Sequence, residues 1–351
     1  MTVSVDASTF RDLLADPTVA ETMSAALGCP LVVVEVDSSA AGALLADLDT
    51  TALPAVVAVV ARDPRWLPAR ACKVADVVLA EAEDAAGSPS VRPDGGVEAG
   101  VAALDAALLA NPVAGTSLAL LLRSSAGLDV PAGLVAESAT YSALQDGAEF
   151  RRWRAQRPAR PADPGTERVR VQRSGRELRI TLARPARRNA VDWRMRDALA
   201  GALALAAADP GASVVLDGDG PDFCAGGDLD EFGSRPDPAQ AHLIRLTRSP
   251  ALLLHRVGGR TTARLQGACL GAGIELPAFA ATVTAAEDTR IGLPEIRLGL
   301  VPGAGGTVSL ARRIGRWRTA YLALTGQTLD AGQALRWGLV DAIEPSKARL
   351  R

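Results

Sequence analysis

The sequence predicts an α/β fold with mainly parallel strand pairing. Three observations carry this. Short apolar runs of strand character alternate with segments of helical period along most of the chain, the pattern of strands joined through helices. Several of those runs, such as "PLVVVEVDSS" and "LPAVVAVVA", are apolar enough to be buried strands. Of 351 residues, 48% are hydrophobic and 22% charged, so the chain can bury a sizeable core. Aromatics are only 3%, and that core must be close-packed from alanine, valine and leucine.

In the first part, residues 30–39 and 53–61 read as buried strands, and "VADVVLAEAED" (74–84) as another strand approached by a helix. After a polar loop at 85–96, three helical segments follow: "GVEAGVAALDAALLANP", "AGTSLALLLRSS" and "GLVAESATYSALQDGAEFRRWRAQR". The Pro/Arg-rich stretch 151–168 marks a boundary, with "RRWRAQRPARP" expected to be a solvated linker. Beyond it, "RVRVQRSGRELRITLARP" alternates like two strands joined at Ser174-Gly175. "DWRMRDALAGALALAAADP" reads as a helix with Asp192 as N-cap and Asp209-Pro210 as its stop. "ASVVLDGDG" and "TTARLQGA" are the next strands. The ending of 74–84 is echoed by "FAATVTAAED" at 279–288, a faint sign of internal repetition.

Bulk properties exclude several function classes. The formal net charge is −2 without a long run of like charges, which argues against nucleic acid or an anionic membrane as the main partner. No signal peptide is visible, and the apolar runs are too short to span a bilayer. Cys29, Cys72, Cys224 and Cys269 are widely spaced and read as reduced thiols of a cytoplasmic protein. With only His242 and His255 available, both in expected helices, the sequence argues against a zinc site and no metal is expected. "PGAGGT" (302–307) lacks the Gly-Lys-Ser/Thr of a phosphate loop. The dinucleotide spacing fails at Val308 and, counted from Gly271, at Leu276.

Three glycine-rich stretches remain, each placing small residues where a helix is expected to start: "FCAGGDLDEF" (223–232), "GACLGAGIEL" (267–276) and "LPEIRLGLVPGAGGT" (293–307). Small residues let a ligand approach the backbone. Helix-initial N–H groups lack internal partners and carry partial positive charge, so two of them facing one point would form an oxyanion hole. Glu275 and Glu295 adjoin these stretches. A carboxylate set among glycines and alanines has its pKa raised and can exchange protons near neutrality.

With "LARPARRNAV" before them and "LTGQTLDAGQALRWGLVDAI" after, these stretches make residues 168–343 resemble the enoyl-CoA hydratase/isomerase (crotonase) superfamily. The resemblance implies a crotonase-like ββα spiral core with a helical closing segment. It implies oxyanion-hole N–H groups at Gly227 and Ala272, and Glu275 and Glu295 as the acid/base pair that adds water to an α,β-unsaturated thioester. Coenzyme A, carrying the substrate, is expected near Arg187, Ala225, Gly227 and Leu229, with Arg187 and Arg188 offering charge to its phosphates; no prosthetic group is implied. The family's homo-oligomers, trimers or multiples of them, are the expected assembly. Isomerisation, hydrolysis or decarboxylation of acyl-CoA, and non-catalytic acyl-CoA binding, are the alternatives.

The chain departs from the family's pattern in one respect. Helices that follow "GLVDAI" in the family have no counterpart after it here, and "ALDAALLANPVAGTSLALLLRSS" with "GLVAESATYSALQDGAEFRRWRAQRP" resembles them upstream. The expected organisation is therefore a degenerate crotonase-like region at 1–157, in which 97–157 supply closing helices, a linker at 158–168, and a catalytic core at 169–351.

Overall fold

The computed structural model describes residues 2–82, 89–157, 165, 167–234 and 237–345. Most of the expected 158–168 linker (158–164 and 166), and the end of the 74–84 stretch, lie outside the described residues.

In chain order the first half contains β1 (Val3–Asp6), α1 (Ala7–Leu14), α2 (Val19–Thr22), β2 (Leu31–Val36), α3 (Ser39–Leu44), β3 (Val56–Ala61), β4 (Val77–Leu79) and β5 (Ser90–Val91). The five strands form one sheet in sequential order, parallel throughout. The continuous apolar runs of β2 and β3 now have a reason. Alternate residues (Val32, Val34, Val57, Val59) pack with Phe10 and Leu45 on one face, while Leu31, Val33, Val56 and Ala58 join the larger core on the other.

Four helices follow: α4 (Val97–Ala110), α5 (Pro112–Ser124), α6 (Val130–Gln145) and α7 (Ala148–Ala155). The sequence reading had three. The third segment divides at Asp146-Gly147, where Gly147 takes extended backbone (φ −78°, ψ 156°) as the N-cap of α7. Arg151 to Ala155 therefore lie in a helix, not in a solvated linker, and Phe150 beside them is 3% exposed.

The second half holds β6 (Val169–Ser174), β7 (Glu177–Leu182), α8 (Trp193–Ala208), β8 (Ser213–Gly218), α9 (Pro238–Thr247), α10 (Pro250–Val257), β9 (Thr261–Leu265) and β10 (Ala268–Leu270). It continues through α11 (Ala272–Glu275), β11 (Thr282–Ala286), β12 (Arg290–Gly292), α12 (Gly306–Thr325), β13 (Thr328–Asp330), α13 (Ala331–Trp337) and β14 (Ala342–Glu344). The β6–β7 hairpin, the Asp192 cap on Met195 N and the end of α8 at Asp209 fall where the sequence placed them. From β7 the sheet runs β7-β8-β9-β11-β14, again sequential and parallel, with β6 antiparallel at its edge. The stretches 74–84 and 279–288, matched by their endings, contain β4 and β11. Each is the fourth strand of its sequential parallel run.

One large hydrophobic core joins the two halves. Helices α4, α5 and α6 pack on α12, and α6 also packs on α9. Close approach depends on glycine: a Cβ at Gly115 would stand 2.3 Å from Leu108 Cδ2 and 3.3 Å from Leu324 Cδ2, and one at Gly133 2.9 Å from Val308 Cγ2. The first sheet is tied to α5 by Arg123. Its guanidinium donates to Asp76 Oδ1 (2.8 Å), to Asp76 Oδ2 and to the carbonyls of Thr50, Leu53 and Ala55, with both charged partners buried.

Candidate active site

Two backbone turns meet at the site. The stretch 223–232 does not begin a helix as the sequence suggested. Cys224 N donates to Ala268 O, and Leu270 N to Cys224 O, which holds the chain extended beside β10; a turn follows to Gly233. Val191 N donates to Gly226 O and Asp228 N to Val191 O. Since successive backbone groups of an extended chain alternate in direction, the Gly227 N–H faces the opposite side. A Cβ at Gly227 would lie 2.6 Å from the Phe232 ring. Asp228 is held in place by Arg184, whose Nη1 donates to Oδ2 at 2.8 Å.

The second turn is at Gly271, with φ +50°. It starts α11, so Ala272 is the first helical residue and its N–H has no carbonyl four residues back within the helix. Glu275 closes this short helix and is 2% exposed. Its Oε2 accepts from Ala304 N at 2.8 Å and Gly306 N at 2.9 Å. Glu295 opens the 3-10 turn Glu295–Leu298 and is 7% exposed, and its Oε2 is buried without a hydrogen-bond partner. A Cβ on Gly271 would stand 2.3 Å from Glu295 Oε1 and 3.7 Å from Glu275 Oε1. Only glycine leaves room there, and the two carboxylates flank that point. Burial is the main cause that pushes both pKa values up: Glu275 well above the ordinary carboxylate range, with the charges of Glu295 and then Glu137 adding to it, and Glu295 to about 8.

A third carboxylate was not singled out in the sequence. Glu137, on α6, is 2% exposed. Its Oε1 accepts from Gly305 N at 2.7 Å, and its Oε2 from Thr307 N at 2.9 Å and Thr307 Oγ1 at 2.7 Å. Burial pushes its pKa up to about 7 against the pull of these bonds. One signal could have found it: Leu134, Glu137, Ser138 and Tyr141 follow helical spacing, which puts an acid inside an inward-facing stripe.

Glu137, Glu275, Glu295, Gly227 and Ala272 all line one cavity of about 550 Å³. Tyr141, Phe232 and Leu134 supply apolar wall, and Ile244, Arg245, Leu246 and Ala251 line it from α9 and α10. Of the expected coenzyme A residues only Gly227 belongs to this lining. Arg187 stands beside it, with Nη1 3.9 Å from Asp230 Oδ2, and Asp230 lines the cavity. Ala225 and Leu229 lie on the same stretch, with Ala225 N donating to Arg188 O, but are not part of the wall. Arg188 itself pairs with Asp222 at 2.7 Å. His242 and His255 are helix residues on α9 and α10, the former 2.9 Å from Ser138 Oγ. The four cysteines are free and buried.

The sequence profile of the enoyl-CoA hydratase/isomerase family matches residues 175–351. The chain belongs to this family. Among family members, the 2,3-dehydroadipyl-CoA hydratase of Escherichia coli (strain K12) is 39% identical over 183 residues, which cover 51% of this chain and 70% of that protein. A mevalonyl-coenzyme A hydratase of Beauveria bassiana (strain ARSEF 2860) is 36% identical over 177 residues, 48% of this chain and 63% of that one. The crystal structure of enoyl-CoA hydratase from Thermoplasma volcanium GSS1 matches with a TM-score of 0.49 and 34% identity, over 53% of this chain and 75% of that one. The family profile thus falls on the second half, whose helix α11 and β12–α12 segment carry Glu275 and Glu295.

Proposed function

We propose that the protein hydrates an α,β-unsaturated acyl-CoA thioester, with Glu275 and Glu295 as its acid/base pair and the Gly227 and Ala272 amides as its oxyanion hole. The observation that supports this is the pair of buried carboxylates flanking Gly271, in one cavity with Gly227 and Ala272. The thioester oxygen sits between Gly227 N and Ala272 N. As water oxygen bonds to the β-carbon, the C=C pair shifts toward the α-carbon and negative charge collects on that oxygen, where the two N–H groups stabilise it. The ionised glutamate of the pair takes a proton from the water. The protonated one gives its own to the α-carbon, so the pair ends with the charge it began with. Two carboxylates in a dry site cannot both ionise easily, which supplies one acid and one base near neutrality.

Coenzyme A leaves this cavity past Arg187 and the 225–229 stretch, and carries the substrate rather than acting as a bound cofactor. Helices α4 to α7 close the site from the first half of the chain. We read the first sheet as a second crotonase-like unit that has lost its glutamates, supported by its sequential parallel order and the shared place of β4 and β11.

The test is a short trans-2-enoyl-CoA, followed by loss of its conjugated-thioester absorbance. Wild type is expected to bleach the band, and Glu275→Gln or Glu295→Gln to slow it by about 10²–10⁴-fold, the usual worth of a general acid or base. Tight binding of the thioester with no bleaching would overturn the reading in favour of a binding protein.

A further inference from the structure

We propose that Glu137 is a positioning residue of this site: by gripping the start of α12 it fixes where the Glu275 carboxylate points, so that the catalytic apparatus is built from both halves of the chain. The inference rests on the acid/base reading of Glu275 given above.

The four consecutive amides from Ala304 to Thr307 are shared alternately between two carboxylates. Ala304 N and Gly306 N donate to Glu275, and Gly305 N and Thr307 N to Glu137. These are first-turn N–H groups of α12 and the residues before it, which the helix itself leaves without partners. Each carboxylate therefore sets the orientation of the peptide planes that serve the other. Gly305 sits at φ +105°, and a Cβ on Gly306 would stand 2.6 Å from Glu275 Cγ, so the segment has no side-chain packing of its own at these positions to hold it. Its anchors are the two acids. Glu137 also binds by three hydrogen bonds where Glu275 has two, and the Thr307 hydroxyl adds the third.

The grip comes from a helix whose sequence lies about half a chain away, and α6 is itself fixed from the other side. Arg245 of α9 donates from Nε to Ser138 Oγ and from Nη2 to Ser138 O, and its guanidinium lies 4.7 Å from the centre of the Tyr141 ring. A Cβ at Gly303 would lie 2.4 Å from that ring, so Tyr141 presses on the same segment that Glu137 holds. The groups that face Glu137 are thus Tyr141 on its own helix, Arg245 on α9, Glu275 on α11, Glu295, and the N-terminus of α12.

The experiment compares wild type, Glu137→Gln and Thr307→Val in the enoyl-CoA hydration assay, with pH profiles and melting temperatures. In Glu137→Gln the amide NH2 must face an N–H donor, so one side of the grip is lost with little change in size. The expected result is a fall in kcat of tenfold or more with KM changed less than threefold. The carboxylate limb of the kcat profile should shift to lower pH, because the charge of Glu137 no longer opposes ionisation of Glu275 and Glu295. Thr307→Val removes one of three bonds but keeps the Glu137 carboxylate, and should lower kcat more weakly, with a smaller shift of the profile. A melting temperature lowered in both variants with kcat and its pH profile unchanged would overturn the proposal and leave Glu137 as packing only. If wild type fails to hydrate the substrate, the acid/base reading falls by itself. A crystal structure of Glu137→Gln still decides this one: Glu275 displaced from Ala304 N and Gly306 N supports it, and Glu275 unmoved overturns it.

Discussion

Glu295 shows most simply what a buried carboxylate does to the protein that carries it. One of its oxygens has no partner, and burial pushes its pKa to about 8. An unfolded glutamate releases its proton near pH 4.3, about the reference value. Between those two values the folded protein binds a proton that the unfolded chain has lost. Stability from this group is therefore complete below the unfolded pKa and is lost as pH rises toward 8. Glu295→Gln keeps the shape and removes the titration. Its melting temperature is expected to fall less than that of wild type over this window, and to exceed it at the alkaline end; a parallel decline of the two proteins would contradict the assignment. Glu275 and Glu295 were legible because each adjoins its own glycine-rich stretch. Glu137 was not, since its partners Gly305 and Thr307 are 168 and 170 positions away, and only the folded chain brings a helix of the first half onto α12.

At the scale of elements, caps and glycines decide the geometry that periodicity leaves open. The strands and α8 were readable because their signals are local: alternation, a two-residue turn, an Asp cap. The end of α6 was missed because Asp146-Gly147 sits between two helical stretches of compatible period, and the backbone of Gly147 alone makes the break. The 223–232 stretch failed in the opposite sense, since its extended shape is imposed by β10 across the sheet rather than by its own residues. Glu149 offers a contrast with Glu137. It is also buried, on α7, and its two oxygens accept from Val113 N at 2.8 Å and Ala114 N at 2.9 Å, at the start of α5. No atom of it reaches the cavity lining. Glu149→Ala is expected to cost about 0.5–2 kcal/mol, the range for a lost N-terminal cap, in urea unfolding. Its pH profile of hydration should stay where wild type has it. At the other extreme, Gly306→Ala drives a Cβ into Glu275 and is expected to lower kcat at least as much as Glu137→Gln, measured in the same assay.

For the whole molecule, the question is whether the second half, which carries the family profile, can stand without the first. The contacts between the halves predict that it cannot. Leu104, Leu108, Leu118, Leu122 and Leu134 of the first half share one core with Val308, Ala320 and Leu324 of α12, and stripping them away would leave those apolar side chains in water. Each fully buried leucine or valine so exposed forfeits about 1.5–3 kcal/mol, and a few such losses match the whole stability of a typical domain. The first sheet is bound into the same body by Arg123, which satisfies buried Asp76 and three carbonyls at once. Arg123→Met would leave buried Asp76 with only Val57 N, at 2.8 Å, and Arg316 Nη1, at 3.7 Å, and is expected to destabilise by less than the about 3–5 kcal/mol of a fully unpaired buried charge. Residues 165–351 expressed alone are therefore expected to be insoluble or aggregated and to lack hydration activity. Co-expression with residues 1–157 as a separate chain should restore a soluble one-to-one complex, since the contacts that matter are packing and hydrogen bonds rather than chain continuity. Light scattering and the enoyl-CoA assay read both outcomes, and a monodisperse, active 165–351 fragment would show that the first half is dispensable. In the restored complex, introducing Glu137→Gln into the 1–157 chain should depress kcat as it does in the intact protein. That would be a catalytic effect passed from one chain to another through two backbone amides and the Thr307 hydroxyl.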